Sequence, residues 1–170
     1  MKKTIVFTTI LSILMLMFTG CKNDNLEGEA VIKNFLTAYY TIDKSAYDYY
    51  NKMTKGATES ELSENNVLYE TNTNKFQQYL TDKSYQAFYT SRLSYTRIRN
   101  SFQNNNFQKI NSLKISKFNE DKTTISYKYD MQLEETNQDT KKTTLAKESR
   151  TLSVTKENGS WKIADIISMN

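Results

Sequence analysis

Apolar residues change their spacing once along this chain, after the polar run Asn104-Asn105-Asn106. Upstream of this run they recur every three or four residues, as on one face of a helix, and downstream they alternate with polar residues, as on a half-buried strand. The longest alternating run has an apolar residue at every second position: Ile125, Tyr127, Tyr129, Met131 and Leu133. The change of period predicts helices first and an antiparallel sheet after them, which is the α+β class.

The last third of the chain predicts four strands joined by short turns. The first strand lies around Ile110 to Phe118, and the second holds the alternating run. The third covers about Thr144 to Lys156 and the last Trp161 to Ile167. Asn158-Gly159 between them predicts a two-residue type I′ turn, because both positions tolerate positive φ. These strands form a four-stranded antiparallel meander.

The first two thirds predict mostly helices. A long amphipathic helix starts at Glu29, and one stripe of it is apolar: Val31, Phe35, Ala38 and Ile42. Asp43 is predicted to be the N-cap of a second helix that Gly56 ends, and Asp82 the cap of a later helix. Ala57 to Asn74 is rich in Thr, Ser, Glu and Asn, so we predict a loop there with at most a short helix or strand.

The first 21 residues have the order of a secretory signal peptide. Met1-Lys2-Lys3 is basic, and a 14-residue apolar run from Ile5 to Phe18 follows. This run is shorter than the roughly 20 residues that a membrane-spanning helix needs. Phe18-Thr19-Gly20-Cys21 contains the chain's one cysteine and resembles the lipobox of bacterial lipoproteins. That resemblance implies that Cys21 becomes the mature N-terminus and carries a lipid such as palmitate.

This interpretation divides the chain into three parts. Residues 1–20 are the signal peptide, residues 21–28 are the lipidated Cys21 with a polar tether, and residues 29–170 are a single α+β domain. The predicted location is the extracytoplasmic face of the cell membrane, with the membrane contacted through the lipid. Removing Lys2 and Lys3 leaves 21 basic and 19 acidic residues, a net charge of +2, which does not indicate a nucleic-acid partner.

The chain has no histidine, and acylation of Cys21 would leave no thiol. Ser-His-Asp and Cys-His catalytic sites are therefore excluded, as are zinc sites built from His or Cys. No metal and no cofactor are predicted. Catalysis by carboxylates, lysine or tyrosine stays possible, so the sequence leaves open whether the protein is an enzyme.

The order of the predicted elements, helices and then a meander closing on Gly159-Ser160-Trp161-Lys162-Ile163, resembles the nuclear-transport-factor-two-like superfamily, also called SnoaL-like. The likeness covers about Glu29 to Asn170. It implies a cone-shaped, cystatin-like fold in which N-terminal helices pack on a curved sheet around a pocket. Many Gram-positive lipoproteins carry such domains. The family includes enzymes, transport adaptors and secretion scaffolds, so the fold alone does not select a function.

Asp165 is the candidate catalytic or ligand-binding acid. The two-residue turn at Asn158-Gly159 would place Val154 opposite Ile163 and Leu152 opposite Asp165. The Asp165 carboxylate would then share a face with Trp161, Ile163 and Ile167. A carboxylate on an apolar concave face would have a raised pKa and could act as a general base. The alternative is that this end of the strand is exposed and Asp165 is solvated.

Three of the four arginines lie within eight residues of each other: Arg92, Arg97 and Arg99. In an extended segment, alternation would put Tyr95, Arg97 and Arg99 on one side. Guanidinium groups bind phosphates and carboxylates in pairs of hydrogen bonds, so an anionic ligand, polymer or acidic partner could dock there. The alternative is an ordinary solvated face with local ion pairs.

Tyr127 and Tyr129 are further binding candidates among the 12 tyrosines. A tyrosine ring with a polar tip suits the lining of a pocket, and it suits packing between helix and sheet equally well.

Three functions remain open from the sequence. The leading hypothesis is a non-catalytic, lipid-anchored domain that binds an unknown protein or small-molecule ligand at the cell envelope. One alternative is a SnoaL-like isomerase or dehydratase with Asp165 as the base. The other is a scaffold subunit of a conjugation or secretion apparatus.

Overall fold

The computed structural model describes residues 24–54 and 59–166, so the predicted signal peptide, Cys21, Gly56 and Ile167 lie outside the described residues. Five helices precede the sheet in this part of the chain: α1 Asp24–Tyr40, α2 Lys44–Thr54, α3 Glu59–Asn74, α4 Asp82–Thr90 and α5 Leu93–Gln103. Four strands follow: β1 Asn106–Glu120, β2 Thr124–Asn137, β3 Thr143–Glu157 and β4 Ser160–Asp165. The predicted α+β class, with helices N-terminal to the sheet, is confirmed. None of the helices in the described ranges is long and apolar enough to cross a membrane.

The strands form the predicted antiparallel meander, in the order β1-β2-β3-β4. Asn158 and Gly159 have φ values of 52° and 78°, which confirms the turn with two positive φ angles. The β1–β2 turn is held by Asp121, whose Oδ1 accepts hydrogen bonds from the backbone N–H groups of Thr123 at 2.9 Å and Thr124 at 2.8 Å. We call the end of the sheet with these two turns the Gly159 end. The opposite end, with the β2–β3 turn after Asn137, is the Asn137 end.

The main core lies between one face of the sheet and the helices. The alternating residues of β2 all point into it, and each is at most 3% exposed: Ile125, Tyr127, Tyr129, Met131 and Leu133. From α1 the core receives Ile32, Phe35, Leu36 and Tyr39. Burial of each such aliphatic or aromatic side chain stabilises the fold by roughly 1.5–3 kcal/mol. Helix and sheet therefore cover each other's apolar faces, as the period change predicts.

Helix α1 crosses the inner face of the sheet from the Gly159 end to the Asn137 end, in contact with β1, β2 and β4. Near its start, a Cβ added at Gly28 would lie 2.9 Å from Tyr127 Oη. Just past its end, Ile42 and Gln108 exchange two backbone hydrogen bonds of 2.8 Å. The helix begins at Asp24 rather than at Glu29, so residues 24–28 are helical and the tether prediction was wrong for them. Gly28 permits the close approach because it has no side chain to meet the sheet.

The helix caps agree only in part with the prediction. Asp43 Oδ1 accepts from the backbone N–H groups of Ser45 at 2.9 Å and Ala46 at 3.2 Å, which confirms Asp43 as the N-cap of α2. At α4 the cap is Thr81, whose Oγ1 accepts from the Ser84 N–H at 3.2 Å. Asp82 is the first residue of that helix instead, where its charge still favours the positive end of the helix dipole.

The prediction of a loop over Ala57 to Asn74 was wrong, because Glu59–Asn74 is helix α3. Threonine, serine and asparagine have modest helix propensity, and tertiary contacts overrule such preferences. Here the contact is Tyr69, which is buried and donates its hydroxyl to the Tyr89 carbonyl at 2.6 Å. A single anchoring ring leaves little periodic signal in the sequence.

Candidate binding pocket

A pocket of about 470 Å³ opens between α5 and the inner face of the sheet at the Asn137 end. We call it the Arg97 pocket. Its polar lining comes from α1, α5 and three strands and includes Tyr39, Thr96, Arg97, Gln108, Glu135 and Glu148. Leu133 and Ala146 add an apolar floor. A depression of similar volume over Ser112, Asp130 and Lys147 is lined mainly by exposed side chains, and it shares Glu148 with the Arg97 pocket.

The guanidinium of Arg97 is the main positive group of the pocket. Its Cζ lies 3.6 Å from the Tyr40 ring centroid and 5.1 Å from that of Tyr39, so it stacks on two aromatic rings. Its Nη2 lies 4.0 Å from Glu148 Oε1, a distance that allows an ion pair but is too long for a hydrogen bond. Among the described residues no group of standard geometry accepts from the buried Nε. That nitrogen is itself buried, so a ligand would meet the Nη groups of this side chain, which is 18% exposed.

Glu148 is the carboxylate that the polar and positive side chains around Arg97 contact. The Tyr40 hydroxyl donates a hydrogen bond to Glu148 Oε2, and Arg150 Nε lies 3.8 Å from the same oxygen. The Glu148 side chain is 22% exposed and that of Arg97 18% exposed, so solvent screens this ion pair only in part. Two arginines on either side of one carboxylate leave a net positive charge at this edge of the pocket.

Three tyrosines beside these charges stay neutral at physiological pH. Burial raises the pKa of Tyr39, of Tyr40 and of Tyr129. The Tyr129 hydroxyl lies close to Tyr40 but makes no hydrogen bond of standard geometry among the described residues. Neutral phenols donate hydrogen bonds, as that of Tyr40 does to Glu148, and they are poor general bases.

The wall of the pocket opposite Arg97 carries a negative charge, that of Glu135. Gln108 Nε2 donates to Glu135 Oε1 at 2.9 Å, and both side chains line the pocket. The pocket thus has guanidinium donors on one side, a carboxylate acceptor on the other and an apolar floor between them. This arrangement suits a small polar molecule that has oxygen acceptors at one end and a donor at the other.

The predicted extended segment through the arginines was wrong, because Leu93–Gln103 is helix α5. On a helix, residues two apart point to nearly opposite sides, so Arg97 lies in the pocket while Arg99 is exposed. Tyr95 packs in a separate cluster against Tyr50, with ring centroids 5.5 Å apart. Of the four buried residues of α5 only Leu93 and Ile98 are apolar, so the sequence shows little of the helical spacing that would distinguish it from a strand.

Arg92 lies apart from both of the other arginines. It precedes α5 with φ of 50°, and its guanidinium lies 5.6 Å from the Tyr69 ring centroid. The three arginines therefore form no joint anion-binding surface, and only Arg97 reaches the pocket.

The premise for Asp165 was also wrong. Val154 pairs with Ile163 as predicted, but Asp165 pairs with Ser153 rather than Leu152. Ala164 is the extra residue of a β-bulge, which moves Asp165 to an exposed position and brings Ile166 into the core. The apolar pattern of a single strand does not reveal a bulge, because a bulge is defined by the pairing with the neighbouring strand.

Tyr127 and Tyr129 lie in the core, at 1% and 0% exposure, and neither lines the pocket. Among the described residues no group of three or more acidic side chains could hold a metal ion. Sequence reasoning missed Glu148 and Tyr40. Glu148 could have been found, since Leu152 and Val154 face the core and the period of two places Arg150 and Glu148 on the same face.

Comparison with known proteins gives one weak structural likeness. No family model matches the chain, and no curated protein matches it. A solution NMR structure of TraH, described as a transfer protein of the Gram-positive conjugative plasmid pIP501, matches with a TM-score of 0.40 and 16% identity. The match covers 83% of this chain and 94% of TraH. At this level of similarity it assigns no function.

Proposed function

We propose that this protein is a non-catalytic binding domain, anchored by a lipid on Cys21 at the outer face of the cell membrane, and that the Arg97 pocket receives its ligand. The observation that supports binding is the Arg97 guanidinium, which lies against two aromatic rings, lines the pocket with its side chain partly exposed, and is too far from Glu148 for a hydrogen bond. Such a group is preorganised, since its position is fixed before the ligand arrives.

The ligand class follows from the groups that line the pocket. A carboxylate, phosphate or carbonyl oxygen fits the guanidinium, and hydrogen bonds to a charged group contribute about 1.5–3 kcal/mol each. An amine or hydroxyl on the same molecule fits the Glu135 carboxylate. We favour binding over catalysis because the phenols near Arg97 are held neutral by burial and Asp165 does not line this pocket.

Binding is tested with a panel of small acids, phosphates and amino-containing acids added to the isotopically labelled domain. We expect chemical-shift changes at Thr96, Arg97 and Ala146 for the matching class. Arg97→Met should weaken that binding about 10- to 100-fold, as the loss of a charged hydrogen-bonded contact implies. Arg99→Met on the exposed side of the same helix is the matched control and should leave affinity unchanged. Equal effects of the two variants would contradict the proposal.

The anchor is tested separately in cells. Lipidation at Cys21 predicts that the protein incorporates labelled palmitate and sediments with membranes. Cys21→Ala should abolish the label and release the processed protein or leave the precursor unprocessed. If Cys21→Ala still incorporated labelled palmitate, the lipid anchor at Cys21 would be wrong. The proposal that the Arg97 pocket binds a ligand would still stand.

A further inference from the structure

We propose that the Gly159 end of the sheet rests on the lipid surface and that the Arg97 pocket faces away from the membrane. This orientation rests on the lipid anchor of the proposed function and goes beyond it, because an anchor alone does not select which end of a domain meets the bilayer.

The first step is the distance between the lipid and the fold. Only Lys22 and Asn23 separate Cys21 from Asp24, the first residue of α1. Three residue steps reach at most about 11 Å even when fully extended. The beginning of α1 is therefore held within that distance of the lipidated residue, much less than the length of the sheet.

The second step is the direction of α1 along the sheet. Gly28 contacts Tyr127, which lies shortly after the β1–β2 turn and pairs with Lys117 before it. At the other end of the helix, Tyr40 bonds to Glu148 beside the pocket. Glu148 pairs with Met131, four positions from Tyr127 on β2 or about 13 Å, and Glu135 lies eight positions from Tyr127, about 26 Å at the rise of a strand. The short connection thus brings the Gly159 end to the membrane and leaves the pocket well above the headgroups.

The third step is the surface of that end. Two of its apolar side chains are open to solvent, Leu26 on α1 at 64% exposure and Phe118 on β1 at 71%. Apolar side chains at this position can enter the headgroup region and add to the anchoring by the lipid. The charges here are mixed, as in the ion pair of Lys117 with Glu120, so the surface does not depend on anionic lipid.

The chain offers a matched control at the opposite end. Leu145 is 56% exposed and pairs with Glu134, close to the pocket. Phe118 and Leu145 are therefore comparable exposed apolar residues that the proposal places at different heights. Because lipidation of Cys21 consumes the chain's one cysteine, a cysteine introduced at either position is the single free thiol.

The experiment uses the full lipidated protein with Phe118→Cys or Leu145→Cys, labelled with an environment-sensitive fluorophore. The protein is reconstituted on vesicles of phosphatidylcholine and phosphatidylglycerol that contain a lipid-bound quencher. We expect fluorescence at position 118 to fall about twofold or more, as for a group in the headgroup region, and position 145 to be unchanged. Leu26→Cys, an independent position at the same end, should behave as position 118 does.

Two results overturn the orientation in distinguishable ways. If the labelled protein sediments with the vesicles but position 145 is quenched as much as position 118, the orientation is wrong and the lipid anchor stands. If the protein neither sediments with vesicles nor carries palmitate in cells, the anchor itself fails and the orientation fails with it. Circular dichroism of each labelled variant establishes that the fold is intact.

Discussion

Arg97 shows how the role of one residue depends on the element that carries it. As part of a helix, its side chain points to the opposite side from Arg99 and enters the pocket, where Tyr40 and Glu148 surround it. Glu148 comes from β3, more than fifty residues away in sequence. Residue type alone identified Arg97 as a candidate, but its partners follow from the tertiary fold.

Two buried tyrosines of the pocket region should respond differently to loss of the hydroxyl. Tyr40→Phe removes the donor to Glu148 and should cost about 1–2 kcal/mol in the free energy of unfolding, because a carboxylate loses its partner. Tyr129→Phe removes a hydroxyl without a standard hydrogen bond and should change stability by less than about 0.5 kcal/mol or raise it. Urea unfolding of both variants measures this. A larger loss for Tyr129→Phe would contradict the arrangement.

The N-cap Asp43 should make stability depend on acid pH. The Ser45 hydroxyl and two backbone N–H groups lower the pKa of Asp43 from 3.8. Because the folded pKa is below the unfolded value, the cap stabilises the fold fully above about pH 4 and is lost as the pH falls through the folded pKa. Asp43→Ala should cost about 1 kcal/mol at pH 7 and reduce the acid dependence.

Asp43→Asn is the matched control for that cap. Asparagine keeps the acceptor oxygen but cannot titrate, so it should retain most of the stability at pH 7 and still lose the acid dependence. Thermal unfolding at pH 7 and pH 3 separates the two effects. If alanine and asparagine cost the same at pH 7, capping is not the role of Asp43.

At the scale of elements, β4 shows which strand pairings a sequence pattern predicts correctly and which it does not. Alternation and the Asn158-Gly159 turn correctly predict the pairing of Val154 with Ile163. The bulge at Ala164 then shifts the register by one residue, and a shift of one residue moves the following side chains to the other face. The apolar Ile166 gains the core position that regular pairing would have given to Asp165.

This register makes a prediction for two adjacent residues. Ile166→Ala should cost about 2–4 kcal/mol, because it leaves a cavity in the core, and Asp165→Ala should change stability by less than about 0.5 kcal/mol. Denaturant unfolding with a common slope for both variants measures the difference. If Asp165→Ala cost more stability than Ile166→Ala, the strand would have the regular register and Asp165 would face the core.

At the scale of the whole molecule, burial is uneven. Strand β2 is covered by α1 on one face and paired on both edges, whereas α3 contributes only Tyr69 and Thr73 to the buried set among its described side chains, residues 65–74. Regions with few buried contacts open at lower free energy than the global unfolding.

Hydrogen exchange should therefore separate these elements. We expect the amides of α3 to exchange by local opening, well before those of β2, which should exchange only with global unfolding. Mass spectrometry of peptides that cover the two elements measures the rates. Equal protection of α3 and β2 would mean that α3 is part of the same cooperative unit.

The sequence by itself determined the class, the order of helices and strands, and the β3–β4 turn, because these depend on local periodicity and on residues that accept positive φ. It also provides the lipobox, which stays a prediction. The tertiary structure decided that α3 is a helix, that Ala164 forms a bulge, and that Arg97 meets Tyr40 and Glu148 at the edge of one pocket. The physical reason is that local patterns depend on neighbours along the chain, whereas register and site geometry are set by packing between residues far apart in sequence.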